Sequence, residues 1–321
     1  MQTSMGTPTR GVVIGRFMPP HMGHLYLINF ALSYCADVTV LVCTLPHEPI
    51  PGDLRFEWMK QLFPAARIVH ITEAIPAAQK DMPGSTAIWA KTIRTYVPDA
   101  IHYVFASEPY GEDLARDLGA SFVPVDPARA QFPVSATDIR NHPMRNWMHI
   151  PEPVRPYFLK RVNVLSAASS TLARELAAQF ETLYVADYRI FLSSYRTRPI
   201  GPQDLQDVLR AQRASEEALA RQAKRVLFAE SSALQVLAQN GRNSGSVSAD
   251  TVAALEHTAR SEHYDLYIVD SDESDVLSSF YRAQLAERGA RICAVNPRKA
   301  AGASAVSEAA HAVQELLDED S

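Results

Sequence analysis

Two histidines three residues apart are the first candidates for chemistry in this sequence. His21 and His24 end the segment 15–24, Gly-Arg-Phe-Met-Pro-Pro-His-Met-Gly-His, which lies between a β-rich run and a helical pattern. Residues three apart share one side of a helix, and a helix N-terminus attracts anions through its N–H groups and dipole. The segment therefore predicts phosphate binding, for which a protonated histidine would serve best. A metal site would need a third ligand of defined spacing, and the sequence offers none.

A second polar segment, residues 134–140, reads Val-Ser-Ala-Thr-Asp-Ile-Arg. Ser135 is a favourable N-cap, and its hydroxyl, that of Thr137 and nearby backbone N–H groups can hold terminal phosphates. Arg140 can bind phosphate oxygens with a planar fork of donors. Alone, the segment is typical of a helix cap, but together with the first motif it favours a nucleotide site. Gly23 would let a phosphate approach the backbone closely.

Alternating strand and helix patterns in the first half position these motifs. Such alternation predicts a parallel sheet with right-handed crossovers, which binds ligands at the carboxyl ends of its strands. Strands are predicted at residues 11–15, 37–43, 67–71, 101–106 and 121–125, and helices at 24–34, 54–63, 85–96 and 112–118.

The pattern restarts after a proline-rich hinge at Pro143, Pro151, Pro153 and Pro156. We therefore predict two domains, residues 1–157 and 158–321. In the second, strands are predicted at residues 161–165, 183–185, 225–228, 264–269 and 291–295, and helices at 169–179, 204–223, 274–288 and 306–318. The Gly-, Ser- and Asn-rich stretch 240–248 predicts a mobile loop.

Composition narrows the class of protein. The 321 residues are 47% hydrophobic and 21% charged, with a net charge of −5, an ordinary globular balance. Without a basic surplus we expect no nucleic-acid partner. Three scattered cysteines show neither disulfide nor zinc spacing. No apolar run is long enough to span a membrane and no signal peptide is visible, so a cytoplasmic location is expected.

The two motifs resemble those of a known family. Segment 15–24 resembles the signature of the HxGH nucleotidylyltransferase superfamily, and segment 134–140 resembles its Ile-Ser-x-Thr-x-Ile-Arg motif with one conservative change. The sequence looks most like nicotinamide-nucleotide adenylyltransferases of the bifunctional NadR type. The resemblance implies a Rossmann-like nucleotidylyltransferase domain followed by a P-loop-kinase-like α/β domain. It also implies ATP and NMN as substrates, NAD and pyrophosphate as products, and Mg²⁺ with the ATP.

The resemblance assigns roles by position. Catalysis would consist of positioning and of stabilising charge on the phosphates, and the residues implied are His21, His24, Arg16 and Arg140. The residues implied in ATP binding are Gly15, Phe17, Gly23, Ser135, Thr137, Ser107 and Asp126. Trp89 would stack on the cationic nicotinamide ring, and Arg55 would meet the NMN phosphate. A core tryptophan and a solvated helix charge are the alternatives for these two. No metal ligand is expected.

The second half departs from its family pattern. Between the strand and helix expected to carry the phosphate-binding loop stands only 166–170, Ser-Ala-Ala-Ser-Ser, without glycine or lysine. Glu230 stands where the family has an Asp-Thr-Asp pattern. Asp270, Asp272 and Glu273 could bind metal, although an acidic loop at a strand end is more often solvated. We predict a kinase fold without kinase activity.

Other readings stay open. Another adenylyl- or cytidylyltransferase with a different phosphorylated acceptor, or a non-catalytic nucleotide sensor, would share the first motif. Preference between NMN and nicotinate mononucleotide is undecided, as is the oligomeric state, with a homo-oligomer as one option. Because the first predicted strand begins near residue 11, the family's DNA-binding helices have no counterpart and no repressor role is expected.

Overall fold

Parallel strands form the centre of each of the two units into which the chain divides, Met1–Val154 and Arg155–Ser321. The structure, a computed structural model, describes residues 8–73, 85–241, 248–272, 274–296 and 303–321. The division falls within the proline-rich stretch. No helix of the described ranges is long and apolar enough to cross a membrane.

The first unit is a five-stranded parallel sheet with the order β3-β2-β1-β4-β5. Its strands are β1 (Arg10–Gly15), β2 (Asp37–Cys43), β3 (Arg67–Ile71), β4 (Tyr103–Ala106) and β5 (Ser121–Pro124). Its helices are α1 (Met22–Tyr34), α2 (Gly52–Leu62), α3 (Ser85–Tyr96), α4 (Tyr110–Leu118) and α5 (Ala136–Asn141), followed by a 3-10 turn at Trp147–His149.

Helices cover both faces of this sheet. Successive strand residues point to opposite faces, so Val13 packs in a cluster with residues of α1 and α2, whereas Val12 packs with residues of α3 and α4. Burial on both faces explains why the strands read as almost continuous apolar runs. β1 lies between β2 and β4, so the connections leave it in opposite directions and open a crevice at its carboxyl end.

The second unit is also a five-stranded parallel sheet with its first strand at the centre, but its order is β10-β9-β6-β8-β7. Its strands are β6 (Lys160–Leu165), β7 (Leu183–Val185), β8 (Val226–Ala229), β9 (Leu266–Asp270) and β10 (Ile292–Val295). Its helices are α6 (Arg155–Phe158), α7 (Ser169–Gln179), α8 (Tyr188–Tyr195), α9 (Leu205–Ala220), α10 (Ala233–Gly241), α11 (Ala249–Ser261), α12 (Val276–Ala286) and α13 (Ala303–Asp318), with a 3-10 turn at Pro202–Asp204.

The predicted parallel α/β architecture is confirmed in both units. The bounds of β2, β3, α3, α7 and β7 coincide with the predicted ones, and the other predicted elements shift by a few residues. The sequence did not predict α6, α8, α10 or α11, and of α5 it predicted only the Ser135 cap. In the predicted mobile stretch 240–248, α10 runs through Gly241 and Ser248 caps α11, while residues 242–247 lie outside the described ranges.

Gly11, on the central strand, provides a test of this packing. A Cβ at Gly11 would lie 2.5 Å from Cε2 of Phe105, a fully buried ring. We expect Gly11→Ala to lower the free energy of unfolding by about 1–3 kcal/mol, because an overpacked core must shift its neighbours. All three tryptophans lie in the first unit, so urea unfolding followed by tryptophan fluorescence reports on that unit. Ser33→Ala, an exposed change, is the control, and an equal stability for both variants would contradict the prediction.

Candidate active site

A cavity of about 630 Å³ lies at the carboxyl ends of the central strands of the first unit. Gly15 at the end of β1, Cys43 at the end of β2 and Ala106 at the end of β4 all line it. Its volume is in the range of pockets that enclose small organic ligands. The crevice expected from the strand order is therefore open.

The structure brings both motifs to this cavity. The predicted site residues that line it are His21, His24, Arg16, Arg140, Gly15, Phe17, Gly23, Ser135, Thr137, Ser107, Asp126 and Trp89. Arg55 is the predicted ligand that does not line it. Three arginines of the described residues line the cavity, namely Arg16, Arg140 and Arg129, of which Arg129 was not predicted.

Two glycines of the first motif make room for aromatic rings. A Cβ on Gly15 would lie 3.0 Å from Cζ of Phe17, and one on Gly23 would lie 3.1 Å from the His21 ring. Phe17 itself has a left-handed φ of 47°, which is unfavourable for a bulky side chain, and its ring meets that of His24 edge-on at 4.9 Å. Gly23 was expected because a glycine lets a phosphate approach the backbone closely. The structure adds a second reason, since a larger residue at this position would crowd the His21 ring.

The two histidines stack and differ in their surroundings. Their ring centroids lie 3.7 Å apart. His24 Nδ1 accepts a hydrogen bond from the backbone N–H of His21 at 3.3 Å, so the neutral His24 ring carries its proton on Nε2. The His21 side chain is 8% exposed, and its Nδ1 has no hydrogen-bond partner among the described residues.

Burial sets the charge of His21. It lowers the pKa of His21 to about 4, with help from the positive charges of Arg129 and His149 and against the carboxylate of Asp138. His21 is therefore neutral at pH 7 in the free protein, which differs from the protonated histidine that the sequence favoured. A neutral imidazole can still donate one hydrogen bond to a phosphate oxygen.

The second motif forms a capping box. Ser135 Oγ accepts from the N–H of Asp138 at 3.0 Å, and the Asp138 carboxylate accepts from the N–H and hydroxyl of Ser135 at 3.1 and 2.5 Å. These bonds commit the Ser135 donors to starting α5. Ala136 and Thr137, in the first helical turn, also line the cavity, where N–H groups lack carbonyl partners within the helix.

Arg140 connects the two motifs. Its Nη1 donates to the backbone carbonyl of Met18 in the first motif and to that of Ala136. Its Nη2 donates to Thr137 Oγ1 at 3.1 Å. The guanidinium is thus held at the cavity wall by residues that are distant in sequence, which gives it a fixed position for an anion.

A tight turn after β5 positions Arg129. The Asp126 carboxylate accepts from the N–H groups of Ala130 and Gln131 at 2.8 and 3.1 Å, so it shapes the turn although it lines the cavity. Arg129 has a left-handed φ of 51°, and its Nη2 lies 3.8 Å from Glu108 Oε1. Arg129 was not predicted as an ATP ligand, although Asp126, three residues earlier in the same segment, was.

Trp89 and Arg55, the two predicted NMN ligands, have different positions. Trp89 lines the cavity and also packs against the cluster formed with α3 and α4, so it is both a wall and a partial core residue. Arg55 has a relative exposure of 0%. It donates to the backbone carbonyls of Ile50, Arg16 and Cys43 and to Glu48. The alternative of a solvated helix charge is therefore wrong for Arg55, whose guanidinium does not line the cavity in this structure, and its contact with the NMN phosphate stays a prediction.

In the second unit, the turn between β6 and α7 holds a carboxylate of the chain itself. Asp270, at the end of β9, accepts from the Ser166 hydroxyl at 2.6 Å and the Ala167 N–H at 2.9 Å. It is 6% exposed, so the expected solvated loop is wrong at this residue. Asp272 is partly exposed and accepts from Ser274, while Glu273 lies outside the described residues.

Glu230 is also buried at this edge of the second sheet. Its Oε2 accepts from the Ser170 hydroxyl at 2.8 Å and the Asp187 N–H at 3.1 Å. Asp187 in turn pairs with Arg189. In the described part of the chain, no group of three or more acidic, histidine or cysteine side chains is arranged to hold a metal ion.

The chain is similar to known proteins in sequence and in fold. No family model matches the chain. The trifunctional NAD biosynthesis/regulator protein NadR of Escherichia coli (strain K12) is 29% identical over 202 residues, covering 56% of this chain and 48% of NadR. A crystal structure of NadR in complex with NAD and AMP-PNP covers 97% of both chains with a TM-score of 0.77 and 18% identity. The chain has the NadR fold.

Relatives of this NadR-like chain are nucleotidyltransferases. The nicotinamide-nucleotide adenylyltransferase of Thermococcus onnurineus (strain NA1) is 24% identical over 184 residues, covering 53% of this chain and 96% of that enzyme. The chain spans about half the length of the curated NadR protein that it matches. The predicted fold class, parallel α/β in both halves of the chain with a NadR-like fold, is confirmed.

The lowered pKa of His21 makes the first unit of this NadR-like chain sensitive to acid. Because His21 binds a proton more weakly in the folded state than in the unfolded chain, its contribution to stability is complete above about pH 6.5. That contribution is lost as the pH falls toward 4. We expect His21→Asn to reduce the loss of unfolding free energy between pH 7 and 4.5 by about 2 kcal/mol.

Urea unfolding followed by tryptophan fluorescence at several pH values measures this difference. His47→Asn changes an exposed histidine of the same unit and is the control substitution. Parallel pH profiles for wild type and His21→Asn would show that His21 titrates normally.

Proposed function

We propose that the first unit is an NMN adenylyltransferase, which makes NAD and pyrophosphate from NMN and ATP. The observation that carries the proposal is the convergence of both phosphate-binding motifs on one cavity, linked by the bond from Arg140 to the Met18 carbonyl. The names of relatives, a nicotinamide-nucleotide adenylyltransferase among them, support the same activity. The whole-chain likeness to NadR bound to NAD and AMP-PNP is consistent with nucleotide ligands.

The chemistry needs positioned charge and no covalent intermediate. An oxygen of the NMN phosphate attacks the α-phosphorus of ATP, a new P–O bond forms, and the bond to the β-phosphate oxygen breaks to release pyrophosphate. Arg16 and Arg140 would balance the negative charge that accumulates on the leaving group. His24, with its proton on Nε2, and His21 would donate hydrogen bonds to phosphate oxygens.

Mg²⁺ enters this scheme as part of the substrate MgATP. The cavity offers it no cluster of carboxylates among the described residues, and both Asp126 oxygens already accept backbone N–H groups. The phosphates of ATP would therefore supply most of its ligands, as is usual for Mg²⁺ at nucleotide sites.

Trp89 favours NMN as the acceptor. Its indole forms part of the cavity wall, and a cationic nicotinamide ring is attracted to the face of an indole by about 0.5–2 kcal/mol. Ser107 and Glu108, on the loop after β4, also line the cavity and would lie near the ribose and adenine of ATP.

We expect the purified protein to release pyrophosphate from MgATP with NMN, and His24→Ala to lower kcat about 100-fold or more, because a donor to the phosphates is lost. A coupled pyrophosphate assay with NMN, nicotinate mononucleotide and phosphopantetheine as alternative acceptors measures both. Unchanged urea unfolding of His24→Ala controls for folding. Release with another acceptor only would favour the alternative transferase, and MgATP binding without release would favour a sensor.

We also propose that the second unit has lost kinase activity. A phosphate-binding loop presents backbone N–H groups to the phosphates of ATP and adds a lysine. Here the turn from Leu165 to Ser169 has no lysine or glycine, and the Asp270 carboxylate occupies the Ala167 N–H and Ser166 hydroxyl. A second anion at this turn would be repelled by Asp270.

The test is phosphorylation of ribosylnicotinamide by the His24→Ala variant, in which the first unit consumes the product NMN at least about 100-fold more slowly. With MgATP, we expect no time-dependent formation of NMN by mass spectrometry. NMN added to a parallel reaction should be recovered quantitatively, which shows that the assay detects it. Steady accumulation of NMN above the no-enzyme rate would refute the loss of activity.

A further inference from the structure

Two loops of the first unit meet at the buried Arg55 side chain. Its Nη1 donates to the carbonyl of Arg16, in the loop after β1, and to that of Cys43, at the end of β2. Its Nε donates to the Ile50 carbonyl at 3.1 Å, just before α2. Because the side chain is fully buried, no substrate can touch it in this structure, and its effect on the cavity has to pass through its partners.

Glu48 is the partner that carries charge. Its side chain is 8% exposed and pairs with Nη2 of Arg55. The oxygen that binds Arg55, Oε2, also accepts from the Leu45 N–H at 2.9 Å. The other oxygen, Oε1, has no hydrogen-bond partner among the described residues and lies 3.7 Å from Nε of Arg16. One carboxylate is thus shared by two arginines.

Arg16 is the exposed member of this trio. Its side chain is 55% exposed and lines the cavity, while its own carbonyl is fixed by Arg55. A long flexible side chain at a surface normally samples many rotamers. Attraction by a buried carboxylate beside its Nε restricts this sampling and leaves the terminal nitrogens of the fork for an anion.

We propose that Glu48 is a positioning residue that orients Arg16 toward the phosphates of ATP and is itself held in place by Arg55. The charges of Glu48 and Arg55 cancel within their ion pair. The positive charge of Arg16 therefore remains available to an anion in the cavity. This inference rests on the proposed adenylyl transfer for its role, although its effect on MgATP binding can be measured without any acceptor.

Glu48→Gln is the informative change, because glutamine keeps the size and an acceptor for the Leu45 N–H but removes the charge that attracts Arg16. We expect kcat/KM for MgATP to fall about 10- to 100-fold, as when a reacting group loses its exact placement. Glu57→Gln is the matched control. Glu57 pairs with Lys60 on the exposed side of α2, and its change should leave kcat/KM within about twofold of wild type.

A double-mutant cycle separates positioning from general destabilisation. If Glu48 acts through Arg16, Glu48→Gln should change kcat/KM by less than about twofold in an Arg16→Ala background. The loss of stability, followed by tryptophan fluorescence in urea, should be equal in both backgrounds. A merely structural role predicts the same fold-loss of activity in both, and this result would overturn the proposal.

The same cycle measured on MgATP affinity by calorimetry distinguishes the two proposals. Coupling between the substitutions in MgATP binding, without pyrophosphate release by the wild type, would retain the positioning role and reject adenylyl transfer. Additive losses of MgATP affinity in an enzyme that does release pyrophosphate would reject the positioning role alone.

Discussion

The buried guanidinium of Arg55 imposes the strictest requirement in the first unit. A charged group without access to water must be paired and hydrogen-bonded, and the structure meets this demand with Glu48 and three backbone carbonyls. These carbonyls belong to the ends of β1 and β2 and to the approach to α2. Arg55 therefore links the loop that carries the histidine motif to the end of β2. Arg140 links the same loop to α5 of the second motif.

The two units differ in strand order but share the central position of their first strand, which they use in different ways. In each, the first strand lies at the centre of a parallel sheet and the following loop leads to a helix. In the first unit this edge is an open cavity with three arginines in its wall. In the second unit, Asp270 reaches the corresponding turn after β6. The same topological position is thus open toward anions in one unit and satisfied internally by an anion in the other.

The strands and most helices could be predicted because their signals are local. Runs such as that of β2 are buried on both faces, and helices such as α7 have an apolar face and polar ends. The helices α10 and α11 were missed although their apolar periodicity is no weaker than that of α7, because both border the Gly-, Ser- and Asn-rich stretch 240–248, whose composition predicts a loop. α8 was missed although it has apolar residues, because several of them stay exposed, as Phe191 does.

The motifs also identified the polar and charged part of the cavity wall that lies where a strand meets a helix. Burial and pairing could not be predicted in the same way. Arg55 and Asp270 each look like ordinary charged residues near the end of an element, and only the fold reveals which partners surround them. The pKa of His21 has the same origin, because burial, its largest cause, depends on packing from outside its own segment.

The hydrogen bond from the His21 N–H to His24 Nδ1 joins the chemistry of the motif to the start of a helix. Adding a proton to that nitrogen would turn the acceptor into a donor and set it against the N–H that begins α1. The start of α1 thus holds the neutral His24 ring in one tautomer and one orientation. The helix that begins at this hydrogen bond therefore also decides which nitrogen of His24 can donate into the cavity.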